Sequence, residues 1–181
     1  MSTVSRLLLL ALAGFAGLAA SALVACGEEK ASTKPVATLK GDGFTVEMPG
    51  NPKPETINAR TAGGSVPITA YITEGGSEGF SMSVLKIPKG VRGDLDGAVQ
   101  GAASSVGGTL KDKKKVTFQG FPARDARITG AEDSNGNKGT VFARVILANG
   151  RVFQMQFVTE GADVTSPPKQ YTAFVSSLKI G

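Results

Sequence analysis

From Phe44 onward, apolar and polar residues alternate in short runs punctuated by Gly and Pro, as strands with one buried face do. In GFTVEMPG, Phe44, Val46 and Met48 stand against Thr45 and Glu47, and Pro49-Gly50 close the run. A weaker run covers residues 55–61. After Gly63-Gly64, Val66, Ile68, Ala70 and Ile72 alternate with Pro67, Thr69, Tyr71 and Thr73, until Gly75-Gly76 mark a turn. FSMSVLKI then sets Phe80, Met82 and Val84 against Ser81 and Ser83, and the stretch from Pro88 to Gly93 ends it.

At Asp94 the period changes. Leu95, Val99, Ala102 and Val106 follow at steps of four, three and four, one stripe of a helix with Asp94 as N-cap and Gly107-Gly108 as its stop. Gly97 and Gly101 inside it cost roughly 1 kcal/mol each against Ala, so this helix needs a surface to lie on. Strand patterning resumes in KKVTFQG and FPARDARITG. Thr140 to Ala148 and Arg151 to Thr159 then flank Asn149-Gly150, a pair that favours a type I′ hairpin turn. In SPPKQYTAFVSSLKI, Ser166 reads as an N-cap, Pro167 as first turn, and Tyr171, Phe174, Val175 and Leu178 as one buried stripe. This order predicts an α+β domain, a largely antiparallel β-sheet with two main helices packed on it. The Thr, Ser, Gln and Lys of the outward strand faces leave part of the second sheet face wet.

The first residues follow no such alternation. Met1 to Arg6 form a short positive start and Leu7 to Ala22 an apolar stretch, so residues 1–25 read as a secretory signal. Leu23-Val24-Ala25-Cys26 resembles the lipobox of bacterial lipoproteins, which implies cleavage before Cys26 and a thioether to diacylglycerol, with a further acyl chain such as palmitate. An ordinary cleavage site beside a chance cysteine, or a single anchor helix, are the other readings; the apolar run is near the lower limit for a span. Each buried acyl methylene contributes about 0.8 kcal/mol, so two or three chains hold a protein on a membrane. Residues 26–40 are then the lipidated N-terminus and a flexible tether with a reach of roughly 20 Å, and residues 41–181 the folded domain. With Cys26 modified, the single cysteine of the chain forms no disulfide, and packing alone holds the fold.

Composition narrows the chemistry. The 181 residues suffice for one domain, and 41% hydrophobic with 19% charged residues is ordinary for a folded one. The formal charge of +5 includes Arg6 of the leader and is too mild to imply nucleic acid. Zero His removes the usual general base, the commonest zinc ligand and every Ser-His or Cys-His arrangement. No spacing singles out a Ser-Lys pair. Asp94/Asp96 and Glu132/Asp133 are the close carboxylate pairs, and they read as a helix start and a loop. EDSNGNKG places Asp133, Asn135 and Asn137 like the first half of a calcium loop, but Lys138 and Arg144 stand where Gly and Glu are required. GGSEGF and VGGTL read as turns. The expectation is no catalytic residue, no metal and no cofactor. Lys111, Lys113, Lys114 and Lys115 form the one charged cluster of note. It reads as a solvated strand entry that blunts a sheet edge, or as a contact to an anionic membrane surface, where each cation contributes about 1 kcal/mol.

The GFTVEMPGNPK opening, QGFPARDARITG, LANGRVFQMQFVTEG and the closing helix from Phe174 to Ser177 resemble bacterial lipoproteins of the PsbP-like (Mog/PsbP) superfamily over residues 41–181. The resemblance implies an α/β/α sandwich on an antiparallel sheet and a mostly non-enzymatic role in binding other proteins; it carries no site residue. The expected function is a lipid-anchored, extracytoplasmic accessory protein on the cell membrane or outer membrane, engaging another envelope protein. Gly27 after the lipidated cysteine permits outer-membrane sorting, by analogy with lipoprotein rules. The alternative is a carrier of an apolar ligand or lipid between helices and sheet. For that reading, Gly97, Ala98, Gly101, Ala102 and Ala103 either leave space or permit close packing.

Overall fold

A computed structural model describes residues 35–61, 64–75, 78–132, 137–161 and 163–181. The elements run β1 (Val36–Gly41), β2 (Phe44–Pro49), β3 (Glu55–Thr61), β4 (Gly64–Gly75), β5 (Glu78–Lys86), α1 (Leu95–Ser105), β6 (Thr109–Phe118), β7 (Phe121–Glu132), β8 (Lys138–Ala148), β9 (Arg151–Glu160), α2 (Lys169–Ser177) and β10 (Lys179–Ile180). Among the described residues no helix is long and apolar enough to cross a membrane.

Strands β3 to β9 build a seven-stranded antiparallel sheet in the order β3-β4-β5-β9-β8-β7-β6. Strands β1, β2 and β10 make a separate three-stranded sheet. Because side chains alternate across a strand, the large sheet offers two apolar faces at its centre. Phe80, Met82, Phe153, Met155, Phe157, Phe142 and Ile146 point to one face, where they meet Phe44, Val46 and Met48 of β2 and Tyr171, Phe174 and Val175 of α2. Edge-to-face ring pairs run through this layer, Phe80 against Phe157 at 4.9 Å and Phe44 against Phe153 at 5.9 Å.

On the opposite face α1 lies over β6, β7 and β8. Leu95 and Val99 pack on Ala126, Ala143 and Val145, while Ala102, Ala103 and Val106 pack on Ile128, Val141 and Val158. Strand β8 is therefore buried on both sides. The rest of this face, over β4 and β5, carries half-buried Ile68, Ile72, Ser81, Ser83 and Leu85, as the outward polar residues predict.

The α+β class and the antiparallel pairing agree with the sequence pattern. Some boundaries do not. Val36–Gly41, which takes in the last five residues of the expected tether, is a strand, because its backbone pairs with β2 in full register and Leu39 is buried against the small sheet's partners. Helix α2 starts after Pro168, whose side chain makes no cap bond, rather than at Ser166. In β4 Tyr71 and Thr73, on the face opposite the aliphatic set, are buried because the small sheet and α2 cover that face, whereas of the aliphatic set Ala70 is buried and Ile68 and Ile72 only half-buried. A second sheet was not expected at all: β10 is only two residues long, and β1, though of ordinary strand length, is too mixed in composition to announce its pairing with β2. Asp94 does cap α1, its carboxylate accepting the N–H of Asp96 at 3.0 Å, and Gly107 (φ 61°) ends it.

Candidate functional site

The outer hairpin β6–β7 concentrates the charged side chains of the domain. Register on the sheet decides their neighbours: Asp112 is opposite Arg127, Lys114 opposite Asp125 and Lys115 opposite Arg124. A shift in register between Leu110 and Asp112 leaves Lys111 out of the pairing.

Three arginines organise the acids here. Arg124 forks onto Asp96 of α1, with Nε 3.2 Å from Oδ1 and Nη2 2.9 Å from Oδ2, and Lys113 Nζ reaches the same carboxylate at 2.7 Å. Arg127 donates to Asp112 at 2.6 Å and also to Asp163. The loop bearing Asp163 is held by Thr140, whose hydroxyl donates to the Gly161 carbonyl and accepts from the Val164 N–H, both at 3.0 Å. Arg144 of β8 forks onto Asp125, Nη2 to Oδ2 at 2.7 Å, and lies 5.4 Å from the Phe118 ring centre. Such planar forks fix geometry better than a lysine does.

The titration behaviour follows. Hydrogen bonds from Arg124 and then Lys113 hold the Asp96 carboxyl well below the usual carboxylate range. The bond to Asp125 raises Arg144, and the bond to Asp112 raises Arg127, each against desolvation. Burial pushes the Tyr171 phenol above its ordinary value, helped by the charge of Asp125. The Tyr171 hydroxyl is buried with no hydrogen-bond partner among the described residues. The Asp96 carboxylate stays ionised and paired, whereas a general acid or base needs a pKa near the working pH and a proton to move.

Lys111, Lys114 and Lys115 are exposed and have no ion pair among the described residues, so the predicted lysine cluster is assembled with Lys113 alone diverted to Asp96. It lies within β6, a true edge strand, rather than at a strand entry. Asp94 and Asp96 serve as cap and ion-pair partner, and Glu132 faces Lys138 at 3.6 Å. Leu23, Val24, Ala25 and Cys26 lie outside the described residues, as do Asp133 and Asn135 of the calcium-like loop. Among the described residues no group of three or more acidic, His or Cys side chains is placed to hold a metal ion. The residues the sequence reading passed over are Arg124, Arg127 and Arg144. The alternation in FPARDARITG puts Arg124 and Asp125 on opposite faces, but only the strand register names their partners.

The small residues of α1 divide by face. Ala102 and Ala103 are buried close against Ile128 and Val141, whereas Gly97 and Gly101 are exposed. Close packing, not spare room, is what the buried alanines provide.

Among solved structures the chain is similar to cyanobacterial PsbP (CyanoP) from Synechocystis sp. PCC 6803, with a TM-score of 0.52 at 13% identity, covering 88% of this chain and 99% of that one. The fold is PsbP-like. The expected α/β/α arrangement on an antiparallel sheet thus stands, with the small sheet sharing one layer with α2. A Pseudomonas aeruginosa protein of unknown function is similar at a TM-score of 0.38 and 9% identity over 69% of this chain and 83% of its own, too loose to carry an argument. No protein-family model matches the sequence, and no curated protein matches it significantly. At such identity the PsbP-like likeness speaks for the fold alone.

Proposed function

We propose that this protein is a non-catalytic accessory module, anchored by lipid at Cys26 on the extracytoplasmic side of a membrane, that engages another envelope protein. The observation that carries the address is the junction Leu23-Val24-Ala25-Cys26, which closes an apolar leader with a small residue before the single cysteine. The non-catalytic reading is supported by the occupation of the acids: Asp94 caps α1, and Asp96, Asp112, Asp125 and Asp163 each neutralise an arginine. A PsbP-like fold is consistent with a binding role, which a likeness of fold alone leaves open to either surface or cleft.

The test is made on native material. Intact-mass analysis of the protein from membranes should give a chain beginning at Cys26 with added acyl mass, and Cys26→Ser should move the protein out of the membrane fraction. Crosslinking in cells followed by mass spectrometry should recover the same envelope protein repeatedly. A mature chain that begins elsewhere with Cys26 unmodified sinks the address, and recovery of the monomer alone sinks the accessory role.

A further inference from the structure

We propose that the free edge of β6, through Lys111, Lys114 and Lys115, is a docking surface for an anionic lipid bilayer, so that the domain lies on the membrane that anchors it. This builds on the membrane address proposed above.

The acids beside this edge are already taken. Asp96 is held by Arg124 and Lys113, Asp112 by Arg127, and Asp125 by Arg144. The arginines act as internal counter-charges, and the three lysines are exposed with no ion pair among the described residues. Their directions matter as much as their charge. Lys114 stands on the side of the sheet that carries Asp125 and Arg144, and Lys115 on the side that carries Arg124 and α1. Lys111 sits at the irregularity between them and the end of the strand. The lysines therefore straddle the edge in two rows. A peptide lying on one sheet face would meet one row, whereas a plane facing the edge meets both, since each lysine is an ammonium on a flexible four-carbon stem. A bilayer rich in anionic headgroups is such a plane, and its attraction for a juxtamembrane cation falls off within a Debye length.

Reach is compatible. At about 3.4 Å per extended residue, the stretch from Cys26 to Pro35 spans at most roughly 30 Å, which keeps the domain beside the lipid at high effective concentration. Weak contacts of the lysine kind suffice under those conditions.

The experiment uses the unlipidated chain starting at Gly27, so that no acyl chain contributes, in sedimentation with vesicles of phosphatidylcholine alone or mixed with phosphatidylglycerol. Retention is expected on the anionic vesicles only, and it should weaken as salt is raised. K111Q/K114Q/K115Q should lower the partition coefficient by about a hundredfold, at roughly fivefold per lysine. K111R/K114R/K115R keeps the charge and should retain binding. K40Q/K53Q/K179Q removes the same charge from exposed lysines elsewhere and should cost far less. Near-ultraviolet circular dichroism and size-exclusion chromatography establish that each variant is folded and monomeric. Equal retention on both vesicle types, equal losses in the two Gln triples, or tight binding to duplex nucleic acid without vesicle retention would each overturn the proposal. Vesicle binding that follows the predicted order while native Cys26 proves unmodified removes the anchor but leaves this surface standing.

Discussion

Gly97 and Gly101 lie one turn apart on the exposed side of α1, yet a methyl group at each would meet different surroundings. At Gly101 nothing lies within 4 Å, whereas at Gly97 the new carbon would sit 2.5 Å from Asp94 Oδ2. Gly101→Ala should therefore raise stability by about 0.5–1 kcal/mol in urea denaturation, the ordinary helix gain. Gly97→Ala should gain little, since the displaced carboxylate is the N-cap and a lost cap costs about 1 kcal/mol. Asp96 makes a second test at this scale. Its folded-state pKa is depressed by Arg124 and Lys113 below the unfolded value, so the stability it contributes is present above about pH 4 and is lost as pH falls through the folded pKa. Asp96→Asn should lose less stability than the parent on acidification from about pH 5 to about pH 2, measured by urea midpoints.

Two hairpin turns use a carboxamide at positive φ followed by glycine: Gln119-Gly120 (φ 50° and 83°) and Asn149-Gly150 (φ 49° and 70°). The second was legible, because Asn-Gly is the commonest signature of a type I′ turn. The first was not named as such, since Gln is an unusual occupant and only its second duty explains it. Gln119 Nε2 donates to the Leu178 carbonyl at 2.6 Å and Oε1 accepts the Ile180 N–H at 3.1 Å, while Asn149 Nδ2 donates to the Gly181 carbonyl at 2.9 Å. Both turns clamp β10 onto the end of the sheets. Gln119→Gly keeps the turn and removes the clamp, so amide exchange at Lys179 and Ile180 should quicken while the global midpoint drops by about 1 kcal/mol. Gln119→Ala should cost more, because it also places a side chain without local hydrogen bonds at positive φ. The edge strand β6 shows the complementary limit: its four lysines were readable as a cluster, but their division into one paired and three without an ion pair among the described residues depended on which arginine faced which acid.

The layers distribute stability unevenly across the molecule. Strands β8 and β9 contribute buried residues to both faces of the large sheet, with Phe153, Met155 and Phe157 fully buried, while Ile68 and Ile72 of β4 are half-buried on the part of the α1 face that α1 does not cover. Phe157→Ala should cost about 3–5 kcal/mol, since it leaves a cavity between Phe80 and Tyr171. Ile72→Ala should cost only about 1 kcal/mol, in proportion to the partial burial of its side chain. Chemical denaturation of the two variants checks the contrast, and similar costs would mean that the open half of the sheet is covered by something.

Alternation, capping and turn chemistry act over a few residues, so the sequence by itself determined the strands from β2 to β9, the cap at Asp94, the Asn149-Gly150 hairpin and the α+β class. Only the tertiary structure decided that Val36–Gly41 belongs to the fold, that Tyr71 rather than Ile72 faces the deeper core, and that three arginines neutralise the acids beside β6. Each of those outcomes depends on a partner distant in the chain, and a strand's face, edge or ion pair has no meaning until that partner is in place.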